Sequence, residues 1–215
     1  MKYTTIIFDL DGTLLNTLAD LAAATNYALA EHKLPQRTTD EVRLFVGNGI
    51  RKLIERAVPA DTPAKLQEEV FASFNRYYKQ HCADSTSPYE GVPQILQQLR
   101  TAGCRTAIVS NKADYGVQAL AKQYFDGQLD AACGERAGIA KKPAPDMLLA
   151  IMRQLKAEPA STIYIGDSDT DLDTARNAGV PCIGACWGFR GRAFLESHGA
   201  KLLAENVGDI WELIK

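Results

Sequence analysis

Thr5-Ile6-Ile7-Phe8-Asp9-Leu10-Asp11-Gly12-Thr13 is the stretch from which the fold is read. Four residues suited to a buried strand run straight into two carboxylates, and Gly12 lets the chain turn there. Two more runs of this kind follow, Thr106-Ala107-Ile108-Val109 and Thr162-Ile163-Tyr164-Ile165, with weaker ones at Cys182–Ala185 and Lys201–Ala204. Between them lie helical periods, Val92, Ile95, Leu96 and Leu99, then Met147, Leu148, Ile151, Met152 and Leu155. Strands alternating with helices predict an α/β fold, a Rossmann-like parallel sheet with helices on both faces.

One region breaks the alternation. From Leu15 to Cys82 the patterns are all helical, with stripes at Leu18, Leu21, Ala22, Thr25 and Leu29 and at Leu66, Val70, Phe74 and Tyr77, and a further helix near 39–46. The expected organisation is a discontinuous core, residues 1–14 and 83–215, with a helical insert at 15–82. Ser85–Gly91 has the turn composition of a chain returning to its core.

In open parallel sheets, ligands bind beyond the carboxyl ends of the strands. Asp9, Asp11, Gly12 and Thr13 follow the first strand, Ser110 and Asn111 the second, and Gly166-Asp167-Ser168-Asp169-Thr170-Asp171 the third. Lys141-Lys142-Pro143 adds a cation between the last two. Singly these are weak: Asp-Gly is mostly a turn, and Ser-Asn after a strand is mostly a helix cap. Their conjunction at successive strand ends points to a site.

Two neighbouring carboxylates tend to divide their protonation, one ionised nucleophile and one acid. A carboxylate approaching a phosphate dianion to about 4 Å at an effective dielectric near 20 meets repulsion on the order of 8 kcal/mol. Asp167 and Asp171 add negative charge, so a bound cation is expected, and an all-oxygen donor set near phosphate suits Mg²⁺. Lys142, Ser110 and backbone N–H groups near Gly12 and Asn111 would hold the phosphoryl oxygens.

The bulk properties set the outer limits. The chain has 215 residues, 46% hydrophobic and 23% charged, with a formal net charge of −2. That is a soluble globular balance and a poor one for a nucleic-acid partner. No apolar run approaches the roughly 20 residues that span a bilayer. With no signal-peptide pattern at the N-terminus, and five cysteines lacking any CxxC pair, a cytoplasmic monomer or homodimer is expected.

These residues resemble the four motifs of the haloacid dehalogenase superfamily of phosphatases. Asp9-x-Asp11-Gly12-Thr13 is similar to the first, Ser110 to the second, Lys142 to the third and Gly166-Asp167-x-x-x-Asp171 to the fourth. The insert sits where that family places its C1-type cap. The resemblance implies that Asp9 is the nucleophile and becomes an aspartyl-phosphate, and that Asp11 protonates the leaving alcohol and then activates water. Mg²⁺ would be held by Asp9, the Asp11 backbone and Asp167, with Asp171 completing the acidic cluster. Ser110 and Lys142 would bind the phosphoryl group.

Asp11 disfavours halide displacement, and Thr13, with no histidine in Leu14–Leu21, disfavours a β-phosphoglucomutase-like phosphomutase. Asn16–Leu21, Val46–Ile50, Pro88–Val92 and Trp187-Gly188-Phe189-Arg190 resemble phosphoglycolate phosphatases. A small phosphorylated metabolite, 2-phosphoglycolate first, is therefore the expected substrate. A pyrophosphatase or another sugar-phosphate phosphatase is the alternative, and a non-catalytic binding protein on this scaffold the remoter one. In the insert, Gly47, Asn48 and Gly49 suit a loop that meets ligand by its backbone. Arg51 and Lys52 read first as a solvated helix face, and second as recognition of an anionic leaving group.

Overall fold

The computed structural model describes all 215 residues. In chain order the elements are β1 (Thr5–Phe8), β2 (Leu15–Asn16), α1 (Leu18–Glu31), α2 (Thr39–Phe45), α3 (Ile50–Ala57), α4 (Ala64–His81), β3 (Ser87–Pro88) and α5 (Val92–Thr101). There follow β4 (Arg105–Ala113), α6 (Asp114–Phe125), β5 (Ala131–Glu135), α7 (Asp146–Gln154), β6 (Thr162–Gly166), α8 (Asp169–Ala178), β7 (Cys182–Ala185), α9 (Gly191–Ser197), β8 (Leu202–Ala204) and α10 (Asp209–Ile214). No helix is long and apolar enough to cross a membrane.

The main sheet has six parallel strands in the order β5-β4-β1-β6-β7-β8. β1 is central because all four of its side chains are buried, which only an interior strand covered on both faces requires. Phe8 pairs with Ile108 of β4 and Ile165 of β6. Phe8, Ile108 and Ile165 therefore stand level, and the residues that follow them run side by side. The α7 stripe Met147, Leu148, Ile151, Met152 and Leu155 packs with Ile7, Val109 and Tyr164 in one buried cluster.

β5 escaped the sequence reading. Ala131-Ala132-Cys133-Gly134-Glu135 contains no β-branched or aromatic residue, so its strand state comes from pairing with β4 rather than from propensity. β4 also runs further than the apolar run predicts. Its register with β5 shifts between Val109 and Ala113, and such irregularities re-aim side chains.

The chain divides into two compact units, Met1–Asn16 with Pro88–Lys215, and Thr17–Ser87. The second is wholly helical apart from its last residues. Within it the α1 stripe is buried as its spacing predicts, while α4 buries Val70, Phe74 and Tyr78, leaving Leu66 and Tyr77 only partly covered. Asp20 ties its two ends together. This buried carboxylate accepts from Ser85 N–H at 2.9 Å, Thr86 N–H at 2.9 Å and the Thr86 hydroxyl at 2.7 Å. That tie holds Ser85 and Thr86 to α1 within the helical unit.

Candidate active site

The residues that follow Phe8, Ile108 and Ile165, level on β1, β4 and β6, set the site. At the end of β1, Asp9 is 8% exposed, and its Oδ1 accepts from Leu10 N–H at 2.7 Å and lies 2.9 Å from Lys142 Nζ. The chain then turns at Gly12, whose φ is +85°. A Cβ there would lie 2.4 Å from Asp167 Oδ2, so the turn needs glycine both for its backbone and for the space it leaves. Thr13 is buried, its hydroxyl 3.4 Å from Asp167 Oδ1.

At the end of β6, Asp167 and Asp171 come together with Asp9, and one carboxylate oxygen from each lies within 4.8 Å of the other two. Asp171 is fully buried in the first turn of α8. Its Oδ1 accepts from Lys142 Nζ at 2.7 Å and from the Tyr164 hydroxyl at 3.2 Å, and its Oδ2 accepts from the Ser168 hydroxyl at 2.6 Å. Both Asp171 oxygens thus have protein partners, and its plain service is to hold Lys142 between two carboxylates.

Asn111 acts through its side chain. Its Nδ2 donates to the Lys142 carbonyl at 3.0 Å and its Oδ1 accepts from Lys142 N–H at 2.8 Å. This paired amide contact locks the lysine loop to the end of β4. Ser110 is buried beside it, its Oγ accepting from Lys112 N–H at 3.3 Å.

The electrostatics expose a shortage of positive charge. Asp9, Asp11, Asp167 and Asp171 face two ammonium groups, Lys142 and Lys112. Burial pushes Asp9 up to about 7; Lys142 opposes this, and Asp171 and Asp11 add to it. Burial, then Asp171 and Asp9, hold Asp167 well above the carboxylate range. Burial works against the Lys142 ammonium, but Asp171 and Asp9 outweigh it and hold its pKa above the ordinary lysine value. One divalent cation would balance the two surplus carboxylates. The donors are oxygens only, which fits Mg²⁺.

Two features of the site escaped the sequence reading. Lys112 Nζ lies 3.0 Å from Asp11 Oδ1 with its side chain 3% exposed. A lysine one residue past a Ser-Asn pair carries no periodic signal, and its partner is about a hundred residues away. The second is how Trp187-Gly188-Phe189 works: Phe189 N–H donates to Asp167 Oδ2 at 2.7 Å and Trp187 Nε1 donates to the Thr13 carbonyl at 3.0 Å. A Cβ on Gly188 would stand 2.2 Å from Asp167 Cβ, so only glycine lets this loop reach the carboxylate.

The remaining residues of interest belong to the helical unit. Gly47 and Gly49 have positive φ, +120° and +86°. Asn48 Oδ1 accepts from Arg56 at 2.7 Å. Arg51 pairs with Glu68 and stacks over Phe71 at 4.3 Å, and Lys52 pairs with Glu55. These half-exposed contacts within the unit are those of a solvated helix face.

Residues 6–185 match the haloacid dehalogenase-like hydrolase family. The chain belongs to this family. A phosphoglycolate phosphatase of Caulobacter vibrioides is 34% identical over 210 residues, covering 96% of this chain and 88% of that protein. An N-acetylmuramic acid 6-phosphate phosphatase of Pseudomonas aeruginosa is 29% identical over 191 residues, 88% of this chain and 84% of that one. A crystal structure from Lactobacillus delbrueckii subsp. bulgaricus, of a candidate phosphoglycolate phosphatase, superposes with a TM-score of 0.94 at 34% identity, covering 100% and 99% of the two chains. The six-stranded parallel sheet is thus the haloacid dehalogenase-like fold, with Asp9, Asp11 and Asp167 just past the ends of β1 and β6, Ser110 in the last part of β4 and Lys142 in the loop between β5 and α7.

Proposed function

We propose that this family member is a Mg²⁺-dependent phosphomonoester hydrolase in which Asp9 takes up the phosphoryl group. The observation that carries the reading is Asp9 itself: a buried carboxylate, oriented through Oδ1 by Lys142 and Leu10 N–H, amid more acidic groups than the local lysines can balance. With Oδ1 so engaged, Oδ2 is the attacking atom.

Mg²⁺, held by the Asp9 and Asp167 side chains with Asp171 behind them, would supply the charge that lets carboxylates and phosphoryl oxygens share the site. Lys142 and the Ser110 hydroxyl bind the phosphoryl oxygens, and Asp171 keeps Lys142 aligned. As Asp9 Oδ2 bonds to phosphorus, the leaving oxygen departs with its electron pair and takes a proton from Asp11. Asp11 then removes a proton from water, which attacks phosphorus and frees Asp9. The helical unit, proposed as residues 15–82 from the sequence and as Thr17–Ser87 from compactness, serves as a cap that excludes water. Gly47, Asn48, Gly49 and Arg51 are its candidates for meeting the substrate.

Among substrates, 2-phosphoglycolate is favoured by the relatives named phosphoglycolate phosphatase, while the N-acetylmuramic acid 6-phosphate phosphatase keeps larger sugar phosphates in view. Phosphate release from a panel of small phosphoesters, with Mg²⁺ and with EDTA, tests the proposal. Release that depends on Mg²⁺ and is highest for 2-phosphoglycolate is expected. A different best substrate overturns the substrate choice, and EDTA-resistant release overturns the metal requirement.

A further inference from the structure

Lys112 lies at the end of β4 with its side chain 3% exposed, although lysine is almost never buried unless paired. Ser110, Asn111 and Lys112 are all buried, in the stretch where the register of β4 with β5 shifts. The Asn111–Lys142 amide contacts fix this segment against the neighbouring loop. Asp11, by contrast, stands on the Gly12 turn, and its carboxylate is more exposed than that of Asp9 or Asp171, at 16% against 11% and 0%. Lys112 Nζ reaches it at 3.0 Å, on Oδ1.

We propose that Lys112 is a positioning residue for Asp11. Its ammonium holds Oδ1, and Oδ2 is thereby the oxygen that gives a proton to the leaving alcohol and later takes one from water. This rests on the hydrolase reading above. In the step that expels the leaving group, a residue that acts through the proton donor matters only where that group needs a proton. An alkoxide does. A p-nitrophenolate leaves as the anion. The later hydrolysis of the aspartyl-phosphate is common to all esters.

The test compares wild type, Lys112→Met, Asp11→Asn and the double variant on n-propyl phosphate and p-nitrophenyl phosphate with Mg²⁺. Lys112→Met should lose about 100-fold in kcat/KM, which reports the step that expels the leaving group, on the propyl ester, the low end of what positioned acid catalysis contributes. It should lose little on the nitrophenyl ester, and nothing further once Asp11 is Asn. Lys112→Gln, which keeps a donor without the charge, must show the same split and serves if the Met variant folds poorly. Equal losses in kcat/KM on both esters overturn the proposal in favour of a folding or phosphate-binding role. A raised KM for 2-phosphoglycolate with propyl phosphate unaffected overturns it in favour of substrate-carboxylate recognition. A wild-type protein inactive on both esters sinks the hydrolase reading itself, and the role of Lys112 with it.

Discussion

Replacing Asp9 with Asn should stabilise the metal-free protein, and by more as the pH rises. Asp9 has an ordinary value of 3.8 and is pushed up to about 7 in the fold, first by burial and then by its acidic neighbours against the pull of Lys142. A carboxylate raised in this way contributes stability that is fully present below its unfolded pKa. That contribution is lost as the pH rises through the folded value. The distance from 3.8 to about 7, at about 1.4 kcal/mol per pH unit, amounts to about 4 kcal/mol in all. Roughly 2–3 kcal/mol of it falls between about pH 5 and pH 8. Asn removes the titration and also the push on Asp167, which acts in the same direction. The attraction of Lys142 to the ionised Asp9 is already contained in the value of about 7 and needs no separate allowance. Thermal unfolding in EDTA should therefore show the Asn variant gaining on wild type by roughly 5–10 °C between those pH values, at 2–4 °C per kcal/mol for a chain of this size. A gap that does not change with pH would refute the charge-surplus argument for the site.

Mg²⁺ should stabilise wild type at pH 8 by about 3–4 kcal/mol at 100 to 1,000 times its dissociation constant, seen as a rise in unfolding temperature that Asp167→Asn should abolish. Gly188→Ala would place a methyl carbon 2.2 Å from Asp167 Cβ and 2.5 Å from the Gly12 carbonyl oxygen. It should cost about 1–3 kcal/mol by overpacking and weaken Mg²⁺ binding measured by calorimetry. Asp20→Ala strands the Ser85 and Thr86 N–H donors and should cost about 2–4 kcal/mol, with faster proteolytic cleavage near residues 82–87 as the readout.

The parts of this molecule that could be read from sequence are those whose reason is local. β1 and β7 begin and end where their apolar runs do. The stripes of α1, α5 and α7 are buried because their spacing matches the helical repeat. Asp9, Asp11, Ser110 and Asp167 could be singled out because each follows an apolar run, and Lys142 because it precedes Pro143 between two such runs. β5 was not, since its small residues become a strand only through β4. Lys112, Asp20 and the Phe189 N–H act on partners distant in sequence, across contacts that no periodicity announces. In the helical unit, Arg51 had two readings from composition, and its pairing with Glu68 and stacking on Phe71 supply a structural reason for it.

The central claim is that Asp9 carries the phosphoryl group between substrate and water. An acid-quenched single turnover with Mg²⁺ and a phosphoester labelled in its phosphoryl group tests it directly. The account predicts label on the peptide containing Asp9, released by hydroxylamine as an acyl phosphate should be, and absent from Asp9→Asn. Substrate turnover with no label reaching the protein at any time, or undiminished phosphate release by Asp9→Asn, would contradict it.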